Sequence, residues 1–446
     1  MSSAAESKNP ESIKAQVQAA RRAARELARL SADQRNRILV AAADLLEKHE
    51  AEILKANRQD CEALEQEARE VQEGSPSTAL LKRLKTSAAG IKDMARQIRD
   101  VAKLEDPLGR VLATTELDDG LILQKVSCTL GVVAVIFESR PDVVPQVGSL
   151  AIKTGNGLVL KGGAEARQTN RVLVSIWHEA LRTVSSALPA AICALTDRAD
   201  VARILEMDRD IDLVVPRGST EFVNYVFAHS RIPVLGHGSG ICHIYVDSAA
   251  DLKIAKDVIV DAKIQYPAAC NSVEKVLVHQ SVAQEFLPPL VAALQSAGVE
   301  VRGCSRTITL LPNSQIVPAI EQDWHTEYGD LKITVKIVSG MDEAIEHINH
   351  YGSRHTESIL TQDQSAAELF MDEVDAASVF HNASTRFADG FRYGLGAELG
   401  ISNSKLHARG PVGLEGLLTY KYKLHGSGQT VMDYAQGKRT FKHRRR

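Results

Sequence analysis

The stretch Gly131–Ala166, GVVAVIFESRPDVVPQVGSLAIKTGNGLVLKGGAEA, decides the fold. Two short apolar runs, GVVAVIFES and GLVLKGG, flank a helix-length amphipathic span, which reads as strand, helix, strand and therefore as a parallel pair with a crossover. The pattern repeats in AICALTD (191–197), DLVVPRG (212–218) and PVLGHGSGICHIYVD (233–247). A second set follows Cys270: VEKVLVH (273–279), VEVRGC (299–304), KITVKIV (332–338), ESILTQ (357–362) and ASVFHN (377–382), again with helical spans between. Two α/β domains with parallel sheets therefore meet near Cys270.

Upstream, apolar residues recur at helical spacing from Ile13 to about Leu64, and SADQ (31–34) reads as a capping box that opens a second helix. The polar interval EQEAREVQEGSPSTA (65–79) reads as a surface excursion. GRVLATTELDDGLILQKV (109–126) reads as a hairpin turning at Asp119 and Gly120.

The chain of 446 residues, 44% hydrophobic and 24% charged, is long enough for more than one core. A net charge of −3 argues against a phosphate-neutralising surface, so nucleic acid is not an expected partner. The basic tail GKRTFKHRRR (437–446) reads as a solvated, frayed terminus in preference to an anion-binding patch. Six cysteines without a C-x-x-C pair give neither a zinc ribbon nor a disulfide framework, and a reducing compartment is the simpler expectation. No apolar run is long enough to span a membrane, and the N-terminus has no apolar core of signal-peptide length, so the expected location is cytoplasmic.

Neither GLGAELG (394–400) nor GHGSG (236–240) gives a dinucleotide fingerprint. Better candidates are LVLKGGAEA, where Lys161 ends a strand before Gly162 and Gly163, and VVPRGST, where Gly218 and Ser219 do the same, because a helix N-terminus after glycines offers free N–H groups to phosphate. Cys270 sits in YPAACNS (266–272) with no amphipathic pattern to draw it into a core, at the domain junction where clefts form; buried small residue and nucleophile both remain open. Arg140 in ESRPD and Arg386 in STRFADG each end a predicted strand, where a guanidinium can clamp an anion or make a surface ion pair. His237, His243, His350 and His355 are candidate bases or ligands, but no H-x-x-x-H pair with a supporting acid appears, and no metal is expected.

Together FESRPDVVPQVGSLAIKTGNGLVLKGGAEA, VVPRGST, HGSGICHIYVD, PAACNSVEKVLVH, HTESILT, STRFADGFRYGLGAELGIS and LHARGPVGLEGLLTYKYKL closely resemble the gamma-glutamyl phosphate reductases, a branch of the aldehyde dehydrogenase superfamily, from about Ala20 to Tyr422. The resemblance implies NADPH-dependent reduction of L-glutamyl 5-phosphate to glutamate 5-semialdehyde with release of phosphate, the second step of proline biosynthesis. It puts Cys270 on the family's nucleophile. It puts Lys161 at the adenosine end of the cofactor with Gly162 and Gly163 leaving room for a 2′-phosphate, Gly218 and Ser219 near the pyrophosphate, and Glu327 at the nicotinamide ribose. Arg140 and Arg386 are then candidate clamps for the substrate's phosphate and α-carboxylate.

Superfamily members that hydrolyse their acyl-enzyme carry a glutamate base where this chain has LGHGSG, which implies weak water activation. The usual oxyanion asparagine aligns with Ser139, beside Arg140, and which of the two assists is open. By the same analogy, residues 1–265 form the cofactor unit with an oligomerisation hairpin at 104–125, 266–393 the Cys270 unit, and 394–446 a return segment, an oligomerisation strand and the tail. A homodimer or higher even assembly is expected, with functional coupling to glutamate 5-kinase, since no kinase-like segment is present. A plain or CoA-acylating aldehyde dehydrogenase and a catalytically silent binding protein are the competing readings.

Overall fold

A computed structural model describes residues 10–70 and 78–446. The chain begins with five helices: α1 (Pro10–Leu27), α2 (Ala32–Lys48), α3 (Glu50–Glu70), α4 (Thr78–Leu84) and α5 (Ala88–Lys103). The predicted capping box opens α2, with Ser31 Oγ accepting from the Gln34 N–H and Gln34 Oε1 accepting from the Ser31 N–H. Of the polar interval, the first part continues α3 to Glu70, and 71–77 lie outside the described residues.

A hairpin follows, β1 (Val111–Asp118) and β2 (Leu121–Thr129), joined at Asp119-Gly120 with Gly120 at φ 71°. The opening stretch then forms β3 (Val132–Phe137), α6 (Val143–Lys153) and β4 (Gly157–Gly162). After it come α7 (Arg167–Arg182), β5 (Ile192–Leu195), α8 (Asp200–Leu205), β6 (Leu213–Arg217) and α9 (Thr220–His229). Strands β3 to β6 make one parallel sheet in the order β5-β4-β3-β6. Its apolar runs do not alternate with polar residues because both faces are covered. Val133, Val135 and Phe137 face a core shared with α2, α5, α6 and α7, whereas Val132, Ala134 and Ile136 face one shared with α1 and α9.

The second sheet contains β7 (Cys242–Val246), then, beyond α10 (Leu252–Ile264), β8 (Val273–His279), β9 (Glu300–Gly303), β10 (Val317–Pro318), β11 (Lys332–Val338), β12 (Thr356–Leu360) and β13 (Ser378–His381). All seven are parallel, in the order β10-β9-β11-β8-β7-β12-β13. This corrects one boundary. CHIYV and the helix after it were read with the first sheet, yet β7 lies between β8 and β12 and Ile244, Val246, Ala255 and Ile259 pack in the second core, so this unit starts near Gly240 and not at Tyr266. The misreading has a physical cause: HGSG is the crossing between sheets, and nothing local distinguishes a strand that adds to one parallel sheet from a strand that begins another.

After β14 (Gly400–Ser402) and β15 (Gly410–Val412) the chain returns to the first core, where Leu399, Val412 and Leu417 are buried. It ends in β16 (Leu418–His425), a short helix Val431–Ala435, and β17 (Arg444–Arg445). β16 pairs with β2 and β17 with β1, giving an antiparallel sheet β16-β2-β1-β17. The expected frayed tail is therefore overturned. Arg439 and Lys442 contact the Asp118 carboxylate, Arg446 pairs with Glu116, and the backbone of β17 covers the edge of β1. Acidic partners supplied by the hairpin explain why a tail poor in apolar residues is placed.

Candidate active site

Cys270 and Asn271 are the two central residues of a turn closed by the Ser272 N–H donating to the Ala269 carbonyl at 2.9 Å. The sequence forces this local shape, because the chain must pass from α10 into β8 within a few small residues. Four contacts pin the turn. Asn271 Nδ2 donates to Ala388 O (2.8 Å), Thr385 Oγ1 donates to Asn271 O (2.7 Å), Ser272 Oγ donates to Ala262 O (3.1 Å), and Cys242 Sγ donates to Cys270 O (3.2 Å). None of them uses the Cys270 sulfur, which is half-buried. The central N–H groups of Cys270 and Asn271 have no partner among the described residues and are free donors beside that sulfur.

The thiol lines a cavity of about 690 Å³ between the C-terminal edge of the first sheet and the Cys270 turn. Ser139, Arg140, Gly218, Ser219, Glu327 and Arg386 line it too, so these predicted residues converge with Cys270. Lys161, Gly162 and Gly163 lie outside this cavity, at the same edge of the sheet: Gly162 on β4 is level with Phe137 on β3, which is level with Arg217 on β6.

Two histidines singled out only as a group join the thiol. A ring nitrogen of His237, one of His355 and Cys270 Sγ lie within 4.8 Å of one another. His237 Nδ1 donates to the Ile401 carbonyl at 2.8 Å, which leaves its other nitrogen as the acceptor, and burial holds its pKa below the usual imidazole range. His355 is buried with Nδ1 against Thr356 Oγ1 (2.8 Å), and its Nε2 has no partner. HGSG and HTES carried the signal, but the pairing needs β7 and β12 to be adjacent, which the sequence does not spell out. Such a trio is also a donor set for a soft cation.

Ser139 is not free. At φ 43°, its N–H and its hydroxyl both donate to Glu165 Oε1 at 2.7 Å, and the residue is 1% exposed. The Arg140 carbonyl accepts from the Val143 N–H, but its guanidinium makes no hydrogen bond or ion pair among the described residues, so of the two it has the available donors. Glu327 Oε2 accepts from the Gly240 N–H at 2.8 Å, two residues before β7 begins at Cys242. Arg386, 8% exposed, donates from Nε to Gln265 Oε1 at 2.9 Å and leaves the rest of its fork to the cavity; burial, then Arg392, pushes its pKa down.

The residues at the sheet edge fit a dinucleotide. Ser219 caps α9, its Oγ accepting from Phe222 N, and the Ser219 N–H is met by the Glu138 carboxylate at 3.3 Å, so this helix start already takes an anion. A Cβ on Gly218 would come within 2.9 Å of the Glu138 carboxylate and the Phe222 ring, and one on Gly163 within 2.1 Å of the Glu165 carboxylate, so these acidic side chains lie close over both glycines. Lys161 Nζ donates to its neighbour's carbonyl, Gly162 O, at 2.6 Å; burial lowers its pKa, while Asp200, Glu165 and Asp197 oppose that shift.

The aldehyde dehydrogenase family model matches residues 2–303. Gamma-glutamyl phosphate reductases of Pelotomaculum thermopropionicum and Acetivibrio thermocellus are 53% and 52% identical to this chain, each alignment covering 94% of both proteins. The crystal structure of gamma-glutamyl phosphate reductase from Thermotoga maritima superposes with a TM-score of 0.89 at 41% identity, covering 94% of this chain and 99% of that one. This chain accordingly belongs to the gamma-glutamyl phosphate reductases, within the aldehyde dehydrogenase family.

Proposed function

We propose that the protein reduces L-glutamyl 5-phosphate to L-glutamate 5-semialdehyde with NADPH, releasing phosphate, through a thioester on Cys270. The observation that carries the reading is the Cys270 turn: a cavity-lining sulfur free of internal bonds, two unpaired N–H groups beside it, and ring nitrogens of His237 and His355 within 4.8 Å of it. His237, its Nδ1 proton tied to Ile401, accepts the thiol proton on its other nitrogen. The thiolate attacks the acyl carbon, and the Cys270 N–H with Arg140 holds the oxyanion that develops. The carbon–sulfur bond forms, the carbon–oxygen bond to phosphate breaks, and the electron pair leaves with phosphate. Arg386, held by Gln265, takes the α-carboxylate. When bound, NADPH would supply the hydride that reduces the acyl group to the aldehyde, and the carbon–sulfur bond then breaks to return the Cys270 thiolate. Glu327, fixed on the Gly240 N–H, positions the ribose end, and no carboxylate of the LGHGSG turn is available to activate water against the thioester.

The test is the reverse reaction. Reduction of NADP by glutamate 5-semialdehyde is expected to require phosphate or arsenate; equal rates without either anion would support a hydrolytic aldehyde dehydrogenase, and dependence on CoA an acylating one. Lys161, buried beside the cradle of Gly162 and Gly163, favours a 2′-phosphate. Lys161→Ala is expected to raise KM for NADPH about tenfold, the effect of losing one charge-assisted bond, and to change KM for NADH little. Equal effects on both would remove that assignment. The proposal places the protein in the cytoplasm as a homodimer or higher even oligomer, fed by a glutamate 5-kinase; the chain contributes no helix long and apolar enough to cross a membrane among its described residues.

A further inference from the structure

Four arginines line the cavity, and beside the exposed Arg83 only Arg217 has no role so far. It ends β6 directly before Gly218 and Ser219. Its Nη1 is out of contact with solvent and has no hydrogen-bond partner, and no carboxylate lies within ion-pair distance of it among the described residues. Of the buried polar side-chain atoms left without partners among the described residues, only Arg217 Nη1 and Asn271 Oδ1 belong to residues that line this cavity. A buried, charged N–H left unpaired is costly, so a fold retains one where a ligand completes it.

The surroundings specify the ligand. Arg140 raises the local positive potential, the Cys270 sulfur acts electrostatically on the same guanidinium, and Glu398 and Asp142 are the nearby acids, neither paired with it. Burial, followed by Arg140, depresses the Arg217 pKa, and burial raises that of Glu398 despite the arginine, so an added anion relieves the pair of cations.

We infer that Arg217 binds the phosphoryl group of the acyl phosphate and holds the departing phosphate, while Arg140 beside it stays on the oxyanion, and that Arg217 so makes the enzyme phosphate-dependent. The inference rests on the proposed acyl phosphate reaction. During acyl transfer the oxygen bridging carbon and phosphorus takes the bonding electrons, and the guanidinium N–H donates to the phosphate oxygens as that charge grows. In reverse, the same contact presents inorganic phosphate to the thioester.

The experiment measures NADP reduction by glutamate 5-semialdehyde against inorganic phosphate for the wild type, Arg217→Gln and Arg217→Lys. Glutamine is expected to raise KM for phosphate at least about tenfold, a loss of one charged hydrogen bond, with KM for NADP within twofold, and lysine to recover part of the loss. Inorganic phosphate is also expected to slow alkylation of Cys270 in the wild type and not in Arg217→Gln, a readout independent of turnover that a merely structural arginine would not move. If the wild type needs no phosphate, the acyl phosphate reading falls and this inference with it. If the wild type needs phosphate while both variants keep its KM, or if KM for NADP rises instead, the inference alone is overturned.

Discussion

Cys270→Ala is expected to lower acyl phosphate reduction by at least about 10⁴-fold, the scale on which removal of a covalent nucleophile is felt. The protein should stay folded, because every bond that shapes the turn is made by Asn271, Thr385, Ser272 and Cys242, and none by the sulfur removed. NADPH titration should be little changed, since the proposed cofactor residues Lys161, Gly163 and Ser219 lie on and just after strands of the first sheet and not in the turn. A variant that keeps a tenth of wild-type activity would end the covalent account.

The second large effect comes from a residue with no side chain. A Cβ on Gly240 would sit 2.0 Å from the Cys270 carbonyl oxygen and 2.7 Å from Cys270 Cα. Both obstacles are backbone, so no rotamer change relieves the clash, and Gly240→Ala must push the β7 entry and the nucleophile turn apart. The same step strains the Gly240 N–H bond to Glu327 and the Cys242 Sγ contact with Cys270 O. A displacement of about 1 Å at the reacting atom costs about 10²-fold in rate, and overpacking of this kind costs about 1–3 kcal/mol of stability. The expected result is a folded protein with kcat down about 100-fold and a lower midpoint in chemical denaturation. Wild-type kcat in that variant would show that the approach of the two segments does not set the thiol.

Much of this arrangement is legible in the residues. GVVAVIFES, GLVLKGG, AICALTD and DLVVPRG are all strands of one parallel sheet, because a strand buried on both faces must be apolar throughout and its crossover must be helical. The hairpin at Asp119-Gly120 and the cap at Ser31 follow from local chemistry alone. Cys270 stood out for the same reason, as a thiol in a stretch with no periodicity to bury it.

What escaped depends on distance in the chain. CHIYV belongs to the second sheet only because β7 pairs with β8 and β12, and no signal within those five residues says so. His237 and His355 are 118 positions apart and meet at the thiol through that pairing. Ser139 lines the cavity with Cys270, but its hydroxyl proton goes to Glu165, a contact made across 26 residues. The basic tail is ordered by Asp118 and Glu116, more than 300 residues upstream, so its own composition gave the wrong answer.

The chemistry turns on where the acyl group rests between loss of phosphate and arrival of hydride. Enzyme mixed with glutamyl 5-phosphate in the absence of NADPH, quenched in acid, digested and analysed by mass spectrometry addresses this directly. The predicted result is one glutamyl adduct, on the peptide containing Cys270 and labile to hydroxylamine. An adduct on another side chain, or turnover-competent enzyme that never carries one, would contradict it.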